Sequence, residues 1–330
     1  TEHCPMIVQI SRRIAPLVLV AVALAVALAA VLGPAHAQAA EPIRLALNWK
    51  AEPQFGGFYA AREGGHFAAQ GLDVDIIEGG SGAPTIQITG AGQVEYGIVA
   101  ADELVISHDR GAGNVVALFA VYQTNPQAIM SHRSRGFGSL KDVLQSDGIL
   151  LWQGGLPYAQ FLLRENAPVK VRTAPYLGGI GNFRNDPMLS QQCFYTSEPL
   201  SAARVGLEVD TFLIADSGYN PYLTVLVTTR ERLASHPEEV RAVVAAVRAG
   251  WEAYLADPAP TNRAMGAINK AMDEQTFRES AALQVPLIRP EGLPKLGAMT
   301  TERWQTLVQQ LQSLKVIRKA IDATTLFVDL

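Results

Sequence analysis

Apolar positions along the chain fall into short runs and alternations, separated by turns rich in glycine, proline and acidic residues. Ile43-Arg44-Leu45-Ala46-Leu47 alternates as a strand and ends in an amide and an indole, Asn48 and Trp49. A turn and a helix closed by Gly64-Gly65 follow, and Gly71 to Ile77 resumes as a second alternating strand. Val94–Val99, Val115–Tyr122, Ile149–Leu151, Gln192–Tyr195, Phe212–Ala215 and Leu223–Thr228 are further β-rich runs. A helix is expected from about Tyr158 to Asn166. Strands alternating with helices predict an α/β fold with mainly parallel sheets. The C-terminal third is helical. His236-Pro237-Glu238-Glu239 opens one helix, whose Val240, Val243, Val244, Val247, Trp251 and Tyr254 recur at helical spacing. Thr300-Thr301-Glu302-Arg303 opens another, with a stripe of Trp304, Leu307, Val308 and Leu311. Both stripes are core faces.

In open α/β sheets, ligands bind at the carboxyl ends of strands. That rule selects Asn48 and Trp49 with nearby Phe55, and then Asp102, Gln123, Gly154, Gly155, Tyr158, Tyr195, Glu198 and Asp216. The loop Gly79-Gly80-Ser81-Gly82-Ala83-Pro84-Thr85 precedes a helix, and Trp152-Gln153-Gly154-Gly155 repeats the layout. Glycines let a backbone approach a ligand, and free N–H groups at a helix start bind polar atoms. Ser81 and Gly82 are therefore candidate contacts; an ordinary turn is the alternative. The loop lacks the Gly-Lys-Ser/Thr of a P-loop and the spacing of a dinucleotide fingerprint. Asp102, Glu198 and Asp216 are an acid/base pair, acceptors for a ligand amine, or helix caps. Trp49, Phe55, Tyr59, Tyr122, Trp152, Tyr158, Tyr195 and Tyr219 fall at or beside strand ends, where they stack a flat ligand or plug the cores. Basic residues are scarce there, which leans toward a neutral or amine-bearing ring over a free anion.

Residues 1–40 carry the marks of a secretion signal: Arg12-Arg13, an uncharged apolar run from Leu17 to Leu32, and Ala35-His36-Ala37 as a cleavage site near 37/38. An uncleaved anchor is the alternative. About 290 residues would remain, enough for two lobes. Taking Arg12, Arg13 and Glu2 from 27 basic and 31 acidic residues leaves 25 and 30, a mild negative balance with no basic block, so nucleic acid is not an expected partner. Cys4 leaves with the signal, so Cys193 has no partner for a disulfide and is expected to pack as a small hydrophobe. No GxSxG elbow and no HExxH spacing is present; no catalytic residue, metal or cofactor is expected.

Five segments together resemble the solute-binding proteins of ABC importers in the sulfonate, nitrate and thiamine-pyrimidine branch. They are LNWKAEPQFGGFYAAREGGHFAAQGLDVDI, GAGQVEYGIVAADEL, AVYQTNPQAIM, QQCFYTSEPLSAARVG and ADSGYNPYLTVLVT, in that order across residues 42–320. The resemblance implies a type II periplasmic-binding fold whose chain crosses twice between lobes, near Tyr122–Pro126 and Tyr219–Thr224. Residues 41–123 with 224–330 would form lobe I, and 124–223 lobe II. It also implies a small-molecule ligand between the lobes, such as a pyrimidine precursor of thiamine, hinges near Gln123 and Pro221, and delivery to a membrane permease and its ATPase from the periplasm. A monomer is expected. By position, Asn48, Trp49, Asp102, Gly154, Gly155 and Glu198 match the family's site. Two departures stand out: Phe55 lies near where the pyrimidine binders and related pyrimidine-forming enzymes have histidine, and the enzymes' cysteine-rich segment is absent. A sulfonate- or nitrate-type anion binder and a pyrimidine-synthesis enzyme on the same fold are the rival readings.

Overall fold

The structure, a computed structural model, describes residues 41–330 apart from Ser81. The expected signal segment and Ser81 lie outside the described residues.

The first half of the chain alternates as its apolar pattern requires. It forms β1 (Ile43–Ala46), α1 (Gly56–Glu63), α2 (His66–Ala69), β2 (Val74–Ile77), α3 (Thr85–Gly90), β3 (Tyr96–Val99), α4 (Ala101–Asp109) and β4 (Val115–Tyr122). A second series follows: β5 (Gln127–His132), α5 (Leu140–Gln145), β6 (Ile149–Trp152), α6 (Pro157–Glu165), β7 (Arg172–Pro175), α7 (Gly181–Asn185), β8 (Leu189–Phe194), α8 (Glu198–Arg204) and β9 (Val209–Leu213). The chain then returns as β10 (Leu223–Thr229) and ends in α9 (Arg230–Ser235), α10 (Pro237–Ala256), α11 (Ala259–Ile268), α12 (Glu274–Ile288) and α13 (Thr301–Ser313).

Two five-stranded sheets result, ordered β2-β1-β3-β10-β4 and β7-β6-β8-β5-β9. They share one plan. β1 pairs parallel with β2 and β3, as β6 does with β7 and β8. β10 is antiparallel to β3 and β4, and β5 is antiparallel to β8 and β9. The sheets are therefore mixed, with one reversed strand in each. The reason is topological. β5 and β10 are the strands by which the chain enters a sheet directly from the carboxyl end of the other, so each must run away from that end. β5 follows β4 with no intervening helix, an element the apolar pattern does not single out, and β7 is likewise unannounced.

α10 buries its expected stripe, Val240, Val243, Val244, Val247, Trp251 and Tyr254, on α1. The contact is unusually close. A Cβ on Gly56 would stand 2.2 Å from the Tyr254 ring, and one on Gly57 2.1 Å from the Trp251 ring. The paired glycines of the FGGFYAA segment thus serve helix packing. α13 buries Trp304, Leu307, Val308 and Leu311 in the neighbouring core, and Thr300 caps it by accepting from the Arg303 N–H.

The two passages between sheets are laced together. Asn125 Nδ2 donates to the Pro221 carbonyl at 3.1 Å, and its backbone N–H donates to Asn220 Oδ1 at 2.8 Å. Arg303 from α13 donates to the carbonyl and the side chain of Asn220 and stacks 3.9 Å from the Tyr222 ring centroid. Thr224, just past this passage, holds φ at +54°, a backbone region that β-branched residues seldom occupy. Among the described residues, no helix is long and apolar enough to cross a membrane.

Candidate functional site

The carboxyl ends of the two sheets meet. Tyr122 at the end of β4 and Phe194 at the end of β8 pack edge to face at 6.0 Å, and Phe194, Tyr195 and Leu213 rest on the core of the first sheet. The loops after β1, β3, β6, β7 and β8 leave from these carboxyl ends, since those strands run parallel within each sheet.

The loop after β1 carries Trp49 and Glu52. Trp49 is 37% exposed, and its Nε1 donates to Glu52 Oε1 at 3.2 Å. Side chains from distant segments hold this loop. Glu78 Oε1 accepts the Ala51 N–H at 2.7 Å, Asn269 Nδ2 donates to the Ala51 carbonyl at 3.1 Å, and Gln284 Nε2 donates to the Pro53 carbonyl at 3.0 Å. Gly79 closes against the same loop: its N–H donates to the Trp49 carbonyl, and a Cβ there would stand 2.3 Å from the Leu47 oxygen.

The second sheet answers with Glu198, the first residue of α8. Its Oε1 accepts the Tyr176 hydroxyl and its Oε2 the Phe194 N–H, both at 2.8 Å. Glu198 acts electrostatically on Glu52. Burial pushes the Glu52 carboxyl up to about 7, with Glu198 adding to the rise and the Trp49 hydrogen bond and Lys50 opposing it. A carboxylate raised this way, beside a half-exposed indole, makes this loop the candidate site.

The remaining sequence candidates divide. Asn48 is half-buried beside Trp49. Asp102 lies in the first turn of α4, where Oδ2 accepts the Tyr219 hydroxyl at 3.3 Å; burial raises its carboxyl, against the Glu103 N–H and Tyr219. Gly154 and Gly155 are exposed. Their loop is tied by Gln192 Oε1, which accepts the Gln153 N–H at 2.5 Å and the hydroxyl of buried Tyr158 at 2.8 Å. Tyr195 is half-buried, with its N–H on the Pro126 carbonyl. Gly82 is exposed ahead of α3, and Asp216 is exposed in the turn Ile214–Ser217. Two candidates point elsewhere. Phe55 is 1% exposed in the core of the first sheet, and the Gln123 side chain donates to the Ala120 and Ala298 carbonyls. Of the aromatic set, Tyr59, Tyr122 and Tyr219 are also fully buried.

The residue pattern does not single out Glu78, Tyr176, Gln192 or Gln284, because their hydrogen-bond partners lie far away along the chain. Glu52 is also missed, although it leaves a local signal, a carboxylate three residues from Trp49. Cys193 is buried, and burial raises its thiol. Among the described residues, no group of three His, Cys, Asp or Glu side chains is placed to hold a metal.

The model of the family described as NMT1/THI5 like matches residues 52–145 and 190–261. A formylaminopyrimidine-binding protein of Halalkalibacterium halodurans is 22% identical over 310 residues, 88% of this chain and 90% of the relative. A 4-amino-5-hydroxymethyl-2-methylpyrimidine phosphate synthase of Schizosaccharomyces pombe is 22% identical over 250 residues, 70% of this chain and 71% of the relative. The periplasmic aliphatic sulphonate binding protein SsuA of Escherichia coli superposes with a TM-score of 0.66 at 11% identity, covering 88% of this chain and 94% of that one. This likeness establishes the fold: two α/β lobes in the periplasmic-binding arrangement.

Proposed function

The chain belongs to the NMT1/THI5-like family, and on that premise we propose that it is an exported solute-binding protein that captures an aromatic nitrogen heterocycle between its lobes. The supporting observation is the set Trp49, Glu52 and Glu198. An indole face offers stacking, and two carboxylates on opposite lobes offer acceptors to ring amines or a ring cation. The same pair repels an anion, which weighs against a sulfonate or nitrate. On this reading lobe I comprises residues 41–123 and 224–330, and lobe II residues 124–223. Asn48, Asp102, Gly154, Gly155, Tyr158 and Tyr195 complete the wall, and the laced passages at Asn125 and Asn220 act as the hinge.

The protein performs no chemistry on its ligand in this account. It hands the ligand to a membrane permease driven by an ATPase, as a periplasmic monomer released from its signal segment. The synthase of Schizosaccharomyces pombe marks the rival, an enzyme on the same fold; the chain lacks the cysteine-rich segment that the resemblance gives that branch, which weighs against it.

A thermal-shift screen tests the proposal with two pools: pyrimidines, flavins and purines in one, alkyl sulfonates, nitrate and small carboxylates in the other. A ligand at 100 times its Kd adds about 2.7 kcal/mol, a shift of several degrees. The shift is expected in the first pool. A shift confined to the second replaces the proposal with an anion binder.

A further inference from the structure

We propose that Arg204 latches the lobes together from the far end of α12, and so sets the affinity of the cleft without touching the ligand. α12 packs on lobe I through Pro53–Phe55 and β4. Near its C-terminal end the Leu287 carbonyl accepts the N–H groups of Gln123 and Thr124, both at 2.9 Å, which ties it to the first passage between lobes. Nearly one turn earlier, Gln284 accepts the Tyr122 hydroxyl at 2.7 Å and donates to the Pro53 carbonyl. At its N-terminal end it meets Arg204, the last residue of α8 in lobe II. Arg204 donates to Glu279 Oε2 at 3.1 Å and to Thr276 Oγ1 at 3.3 Å, and stands 3.9 Å from Asp273 Oδ1.

Eleven residues separate Thr276 from Leu287, about 16 Å of helix. Hinge attachment and latch therefore sit at opposite ends of one continuous helix, with Pro286 beside the hinge attachment. Rotation about the passages displaces the far end most, so opening breaks the Arg204 contacts while leaving those of Leu287. α8 links latch and ligand directly, since it runs from Glu198 to Arg204. A ligand that draws Glu198 toward lobe I carries Arg204 onto Glu279, and an intact latch lowers the work that the ligand must do. Arg204 and Glu279 side chains keep 27% and 32% of their exposure, so solvent screens the pair. Its expected weight is about fivefold in the open–closed constant.

The inference rests on the binding-protein reading only in treating closure as ligand capture; its test needs no ligand. Spin labels on the exposed positions Lys141→Cys in lobe II and Glu231→Cys in lobe I report the interlobe distance by pulsed dipolar spectroscopy. Arg204→Ala is expected to move population from the shorter to the longer distance by about fivefold, and Glu279→Ala in the same direction. The double variant is expected to move no further than Arg204→Ala alone. Circular dichroism checks that each variant folds, and the two variants sit on different lobes, so either suffices if the other fails. Unchanged distances, or effects that add fully in the double variant, overturn the latch. A null ligand screen would leave this result untouched, so failure of the binding reading is separately visible.

Discussion

The indole Nε1 of Trp49 donates to Oε1 of Glu52 at 3.2 Å, three residues along the same loop. The bond fixes the ring's orientation and partly offsets the rise of the Glu52 carboxyl. It joins the indole and the carboxylate into one unit, and that carboxylate is the one on which Glu198 acts.

Trp49→Ala is expected to weaken binding of a first-pool heterocycle by about 1–3 kcal/mol, taking base–aromatic stacking as the analogue. Titration calorimetry measures it. Unchanged affinity would remove Trp49 from the site.

Glu52 gives a pH signature. Its carboxyl titrates near 7 in the folded protein, against an ordinary value of 4.5, so the folded state holds its proton more tightly than the unfolded chain. The stability linked to that proton is full below about 4.5 and is lost as pH rises through 7. Glu52→Gln keeps the neutral form at every pH. The wild type is therefore expected to match the variant in Tm near pH 4.5 and to fall below it by pH 8. For a cationic ligand, affinity should rise across the same interval as Glu52 ionises, and the variant should flatten the profile. Parallel Tm curves would contradict the assignment.

Gly57→Ala tests the packing of α1 on α10. Alanine ordinarily favours a helix by about 1 kcal/mol over glycine. Here its Cβ would enter the Trp251 ring, and overpacking of this kind costs about 1–3 kcal/mol. Urea unfolding should show net destabilisation; a more stable variant would mean that the helices can separate freely.

Gln284→Leu removes the acceptor of the buried Tyr122 hydroxyl and the donor to Pro53. Leaving such groups unpaired costs about 1–3 kcal/mol each. Lower stability together with weaker ligand binding is expected, because the Trp49–Glu52 loop loses a support. Lower stability with unchanged binding would show that Asn269 and Glu78 hold the loop alone.

The strands were legible where apolar runs were continuous or cleanly alternating. Val115–Tyr122 is buried along its whole length and matches its run residue for residue. β5 was not, because QAIMSH mixes polar ends with an apolar centre and follows β4 with no helix between. The position of Trp49 followed from the strand-end rule, and so did those of Asp102 and Glu198. The supports of the site were not legible. Asn269 and Gln284 reach Ala51 and Pro53 across 218 and 231 residues, and a side chain bonding to a remote backbone leaves no periodic trace. The aromatic set left two roles open, and the rings of Phe55, Tyr59 and Tyr122 turn into the core.

The most direct measurement is calorimetric titration of the protein with 4-amino-5-hydroxymethyl-2-methylpyrimidine and with ethanesulfonate, in the wild type and in Glu52→Gln. Heat and saturation are expected with the pyrimidine, weakened in the variant, and none with the sulfonate. Saturable binding of the sulfonate alone would contradict the heterocycle reading, since the Glu52–Glu198 pair would then face a ligand that it repels.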